Sequence, residues 1–209
     1  MIGVRWSHQV GLICSDPADD AQTWARTLGG LTMQGIGRRS AGPRPRGTWH
    51  AAVMSRDDPT LAELLAQEDE LRLGRFDNDD AWSLGSVLVE EARRRGAAVV
   101  VDIERGGHQL FHAALPGTAP DNDSWIRRKG NVVRRFGHSS LYVGRLCRDG
   151  GTTLEEKYGV PTADYAAHGG AFPLLVRDVG PVGVVAVSGL PQLEDHALVV
   201  CGLRSLGQT

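Results

Sequence analysis

Residues 97–113, Ala97-Ala98-Val99-Val100-Val101-Asp102-Ile103-Glu104-Arg105-Gly106-Gly107-His108-Gln109-Leu110-Phe111-His112-Ala113, decide the fold class. A β-branched run is followed, across two glycines, by a second run of similar length. Glycine takes the positive φ of a tight turn at no steric cost, so the stretch is a hairpin and the sheet is at least partly antiparallel. Upstream, Asp77-Asn78-Asp79-Asp80 offers carboxylate and amide oxygens to free helix amides. Ala81, Leu84, Val87, Leu88 and Ala92 then form an apolar stripe that ends in Arg93-Arg94-Arg95-Gly96. Cations at the negative end of the dipole and a terminal glycine complete the pattern of a helix. Before it, Leu61, Leu64, Leu65 and Leu71 follow helical spacing from Thr60.

Downstream, Pro116-Gly117 closes the hairpin, and the polar cluster Asp121-Asn122-Asp123-Ser124 predicts a helix running toward Phe136. A further helix is expected over Ser139–Cys147, and a short one over Leu154–Tyr158 after the Gly150-Gly151 break. The apolar runs Ala171–Val176 and Val182–Val187, split by Asp178, Gly180 and Pro181, predict a second hairpin. A closing helix starts at Pro191, a residue suited to a first turn. The order ααββ, helices, ββα predicts an α/β protein of the α+β type, with a central antiparallel sheet covered by helices, and argues against a doubly wound parallel sheet.

The chain has 209 residues, 41% of them hydrophobic, with 23 Lys and Arg against 25 Asp and Glu. That length suits one ordinary domain. A net charge of −2 supplies no cationic field for nucleic acid, so no nucleic-acid partner is expected. Cys14, Cys147 and Cys201 have no CxxC spacing, which indicates neither a disulfide framework nor a thiolate metal site and fits a cytoplasmic protein. No apolar stretch reaches the roughly 18 residues of a membrane span. Residues 1–53 hold six arginines, no lysine and three acidic residues, and residues 35–47 are rich in Gly, Pro and Arg. This segment is expected to be a flexible arm or an extension upstream of a biological start at Met54, with the folded domain over residues 54–209.

Several strings occur together in a fixed order: Phe76-Asp77-Asn78-Asp79-Asp80-Ala81-Trp82-Ser83-Leu84-Gly85, Asp123 to Val133, Ser139-Ser140, Gly169-Gly170-Ala171-Phe172-Pro173, Val187-Ser188-Gly189-Leu190-Pro191 and Asp195-His196. In these the chain resembles the HbpS/GlcG-like family, also called the haem-degrading or PduO/GlcC-like domain, in its branch of short stand-alone proteins, over roughly residues 60–206. The resemblance implies a profilin-like fold and assembly into symmetric homo-oligomers. It also points to haem, since relatives are linked to haem binding, to corrinoid adenosyltransferases and to glycolate utilisation.

Among individual residues, His168 stands before Gly169-Gly170, two glycines that allow a backbone close to a ligand, or that simply turn the chain into the following strand. Haem iron takes a His, Cys, Met or Tyr donor. Tyr165 lies three residues before His168, on the same face if the segment is helical. Arg128 and Lys129 offer cations to a carboxylate, phosphate or propionate, or else belong to a solvated helix face. Ser188, Asp195 and His196, singled out by the family motif, form a second group, in which Asp195 also suits the positive end of a helix dipole. His108 and His112 share a face of an alternating strand, with no further ligand in view, so no metal site is expected. Trp82 and Trp125 are expected as packing or interface anchors. Ser139 is expected to cap a helix. The sequence supports a small-molecule binding oligomer, with two alternatives: an oligomer without small-molecule chemistry, or a lyase or isomerase using His168 and Lys129.

Overall fold

The structure is a computed structural model and describes Asp58–Leu206. The expectations for residues 1–53 and for Met54 lie outside the described residues. Ten elements follow one another: α1 (Leu61–Glu70), α2 (Asn78–Arg94), β1 (Val100–Arg105), β2 (His108–Ala114), α3 (Pro120–Phe136), α4 (Ser140–Asp149), α5 (Leu154–Tyr158), β3 (Ala171–Val176), β4 (Gly180–Ser188) and α6 (Gln192–Leu206). The four strands form one antiparallel sheet in the order β2-β1-β4-β3. The mixed α/β class and the antiparallel sheet match the sequence reading.

Local chemistry sets the helix ends. Thr60 and Glu63 form a reciprocal capping box on α1, and Asp77 and Asp80 form another on α2. Helix α3 starts earlier than the polar cluster suggested, with Pro120 in its first turn and the Asn122 side chain accepting from the Ala119 N–H at 2.8 Å. Ser139 caps α4 by accepting from the Tyr142 N–H at 3.3 Å. Strand β4 begins two residues before the apolar run, because Gly180 and Pro181 already pair with Val176 and Leu175.

Strand alternation divides the core into two layers. Val101, Ile103, Phe172, Leu174, Val185 and Val187 face α2 and α6, where Leu84, Leu88, Leu198 and Leu203 are fully or almost fully buried. Val100, Ala171, Val184 and Ala186 face the other way, onto Ile126 and Val133 of α3. The sheet is thus sandwiched between α2 with α6 on one side and α3 on the other. Helix α3 and the first turn of α6 both reach the end of the sheet where β4 stops and β3 starts.

Strand β2 departs from simple alternation. Ile103 pairs with Phe111 and Glu104 with Gln109, leaving Leu110 as an extra residue in a bulge. The bulge breaks the shared face expected for His108 and His112. Gln109 and His112 converge instead on Asp102, at 2.5 and 3.0 Å, and His112 also lies 3.4 Å from Asp123. Carboxylates therefore do surround His112, but no cluster of three or more His, Cys, Asp or Glu residues among the described residues is arranged to hold a metal ion.

Candidate functional site

At the end of the sheet, the Lys129 ammonium is inserted beneath the chain. Lys129 and Asp195 are both buried, with their charged atoms 3.0 Å apart. The same ammonium donates to the carbonyls of Val187 at 2.7 Å and Gly169 at 3.0 Å. Three donors meet three acceptors, so the amine has no spare hydrogen for a ligand. Burial pulls the Lys129 amine below its ordinary range and pushes the Asp195 carboxyl above its own, while the ion pair opposes both shifts. Three acceptor oxygens around one nitrogen favour the charged ammonium. Asp195 is completed by the Leu190 N–H at 3.0 Å.

The two glycines after His168 serve this arrangement. Gly170 has φ 116°, and a Cβ there would meet the Val187 carbonyl and the Lys129 ammonium. A Cβ at Gly169 would meet the Gln192 carbonyl. Both positions let backbone approach backbone around the buried lysine. They bring α6 and β4 together, the close approach that sequence reasoning had offered to a ligand.

His168 stands on the wall shared by two cavities. The smaller, about 280 Å³, is lined by Asn122, Trp125, Lys129, Ser188, Gln192 and Asp195 among others. The larger, about 410 Å³, is lined by Trp125, Arg128, Cys147, Arg148, Tyr165 and residues 152–155. The His168 imidazole is exposed and meets the Trp125 indole edge-on, with ring centroids 5.4 Å apart. On the same indole the Arg128 guanidinium lies 4.0 Å from the ring centroid. Partial desolvation, and the positive charges of Lys129, Arg128 and Arg148, hold the His168 pKa below its ordinary value, so the ring is neutral at physiological pH. Neither of its nitrogens hydrogen bonds to a described residue.

The segment carrying Tyr165 and His168 is a turn and extended chain rather than a helix, so the two residues do not share a helical face. They nevertheless line the same cavity. Tyr165 is half-buried, with the Arg135 guanidinium 5.7 Å from its ring centroid. Arg128, Tyr165 and His168 thus come together on the larger cavity, while Lys129, His168, Gly169, Ser188 and Asp195 come together on the smaller one.

His196 is not brought to either cavity. It points toward α1, where its Nε2 lies 2.9 Å from Gln67 Oε1, and it packs beside Phe172. The Gln67 oxygen can only accept, so the proton is on Nε2. Nδ1 is buried without a partner among the described residues, and burial depresses the pKa to about 4. Sequence reasoning missed Trp125 as a cavity wall, and also Asn122, Arg148 and Gln192. Asn122 was visible only as a capping residue, and Arg148 and Gln192 carried no signal.

Residues 76–204 match the family model described as haem degrading protein HbpS-like. A UPF0303 protein of Streptomyces coelicolor is 60% identical over 151 residues, spanning 72% of this chain and 96% of the relative. A UPF0303 protein of Edwardsiella ictaluri is 51% identical over 142 residues, spanning 68% and 90%. Among solved structures, the Ybr137w protein is similar with a TM-score of 0.67 at 38% identity, over 74% of this chain and 90% of that one. HbpS is similar with a TM-score of 0.52 at 20% identity, over 65% and 93%. A PduOC:heme complex is similar with a TM-score of 0.54 at 17% identity, over 62% and 94%. The last two likenesses concern the fold.

Proposed function

This chain belongs to the HbpS-like family of haem degrading proteins, and from that premise we propose that it is a binding protein for a tetrapyrrole or a related anionic metabolite, held in the larger cavity between α3 and the Tyr165–Gly170 segment. One observation carries the reading. An exposed imidazole, kept neutral and unpartnered among the described residues, stands beside two arginines on the wall of a cavity of about 410 Å³. That volume falls within the range of small-molecule pockets.

The donor set suits haem. A neutral His168 offers a nitrogen lone pair to iron, and the half-buried Tyr165 offers an oxygen in the same cavity. Arg128, stacked on Trp125, and Arg148 would receive the propionates. Haem, when bound, would supply a redox-active Lewis acid. The chain's own part is to bind and orient it, with Trp125 giving an apolar edge and the arginines fixing the carboxylate end.

A lyase or isomerase built on Lys129 is disfavoured, because a nucleophilic amine needs a free lone pair and this nitrogen is enclosed by three acceptors. The proposal includes a cytoplasmic homo-oligomer. Its assembly is supported by Trp82, 67% exposed and set edge-on against Phe111, as an apolar surface for a second copy. No helix among the described residues is long and apolar enough to cross a membrane.

Titration of the full chain with haemin tests the proposal. A Soret shift that saturates at one haemin per protomer, and is lost in His168→Ala with Tyr165→Phe, is the expected result. Absence of any shift at micromolar haemin would overturn the tetrapyrrole reading and favour an oligomer without small-molecule chemistry.

A further inference from the structure

The smaller cavity, at the corner between β4 and α6, has a chemistry of its own. Its volume of about 280 Å³ leaves room for a molecule of a few non-hydrogen atoms, next to the larger cavity but across the Trp125–His168 wall. Ser188 lies at its lining and is 5% exposed, yet its hydroxyl hydrogen bonds to no described residue. The hydroxyl is not sealed off from solvent, so it opens into the cavity, where water or a ligand can satisfy it.

The two amides beside it have fixed orientations. Asn122 Oδ1 accepts from the Ala119 N–H at 2.8 Å, which turns its NH₂ group toward the cavity, where it makes only a long 3.5 Å contact to the Ser188 carbonyl. Gln192 Oε1 accepts from the Gly169 N–H at 3.4 Å, which leaves its NH₂ group without an acceptor among the described residues. The charged groups of the wall are already satisfied: Lys129 by three oxygens, and Asp195 by Lys129 and the Leu190 N–H. What remains free beside the neutral His168 imidazole is one hydroxyl and two amide NH₂ groups, a set of uncharged donors.

We infer that this corner is a second ligand site, selective for a small organic carboxylate whose oxygens are received by the Ser188 hydroxyl and the Asn122 and Gln192 amides. A carboxylate has about four lone-pair positions on two oxygens, enough to accept from all three donor groups. Uncharged donors that are already oriented bind an anion without the reorganisation that water requires. The Lys129 ammonium in the floor offsets the Asp195 charge that would otherwise repel the ligand. The three donors do not line the larger cavity, so the inference does not rest on tetrapyrrole binding there.

The experiment is a titration of the isotope-labelled full chain with acetate, pyruvate and malonate, and with acetamide as an uncharged control, read from the side-chain NH₂ resonances of Asn122 and Gln192. Saturable shifts with at least one carboxylate, absent with acetamide, are expected. Gln192→Glu and Asn122→Asp keep the oxygens that accept from Gly169 and Ala119 while replacing the free donors by negative charge. Each should weaken carboxylate binding by about tenfold or more, read in the variants from the backbone amide shifts of Ser188 and Gly189, and should leave the haemin titration unchanged. Ser188→Ala, nearly isosteric, should weaken it as well. The inference is overturned if no carboxylate gives saturable shifts, if acetamide binds as tightly, or if both acidic variants bind like the parent. A failed haemin titration alongside normal carboxylate binding would reject the tetrapyrrole proposal and leave this one standing.

Discussion

Lys129 of α3 and Asp195 of α6 meet at 3.0 Å across the end of the sheet, each side chain 3% exposed. The pair ties together helices that pack on opposite faces of the sheet. Removing one partner leaves the other as a buried charge, a change that typically costs about 3–5 kcal/mol. Lys129→Met should therefore lower the unfolding free energy by that order. The double variant with Asp195→Asn should be less destabilised than the sum of the single variants. Urea denaturation of the four chains measures the coupling, and additive losses would contradict it.

Gly170→Ala should be among the costly small substitutions in the chain. Its φ of 116° is unfavourable for any side chain, and the new methyl would press on the Val187 carbonyl and the Lys129 ammonium. A loss of more than about 2 kcal/mol is expected from strain and displaced hydrogen bonds together. Gly74→Ala, where a Cβ has nothing within 4 Å and φ is unremarkable, is the control and should lie within about 0.5 kcal/mol of the parent.

Acid should weaken the fold through His196 before most carboxylates titrate. The folded-state pKa is depressed to about 4 from an ordinary 6.5, so between these values the unfolded chain binds the additional proton. Stability from this group is complete above pH 6.5 and is lost as the pH falls toward 4, amounting to about 2 kcal/mol at pH 5. His196→Gln should flatten the slope of unfolding free energy against pH over that window. An unchanged slope would show that the imidazole is not the group responsible.

Haemin affinity should depend on salt and on Arg128. Replacing Arg128 by Gln removes a charge-assisted contact worth about 1.5–3 kcal/mol, which corresponds to roughly ten- to hundredfold weaker binding. Arg148→Gln should act in the same direction but less strongly, since Arg148 already shares its charge with Asp58 at 3.2 Å. Equal affinity for haemin in Arg128→Gln and parent would remove the arginine from the site.

The fold was legible where local chemistry alone determines it. The capped stripe of α2, the glycine turns of both hairpins and the Ser139 cap involve residues close in sequence, so their pattern is visible in one dimension. Arg127, Arg128 and Lys129 are different, because three consecutive cations look alike as text. Helical rotation sends Arg127 outward to Asp164, lays Arg128 on Trp125 and buries Lys129 against oxygens 40, 58 and 66 residues away. Nothing local distinguishes them. The bulge at Leu110 is likewise a property of pairing with β1, and it altered which side chains meet Asp102. Arg148 and Gln192 enter the cavities only because α4 and α6 are brought to the same end of the sheet.

The enclosed amine of Lys129 also makes this an unusually simple protein to derivatise. The chain contains two lysines, and the other, Lys157, is exposed on α5. Reagents that attack free amines, such as succinimidyl esters or reductive methylation, will therefore find one reactive side chain besides the α-amino group. Lys157 follows Leu154 and Glu155, which line the larger cavity, so a fluorophore coupled there sits at the rim of the proposed binding site without any mutation. The unaltered polypeptide carries its own attachment point for a reporter of ligand entry.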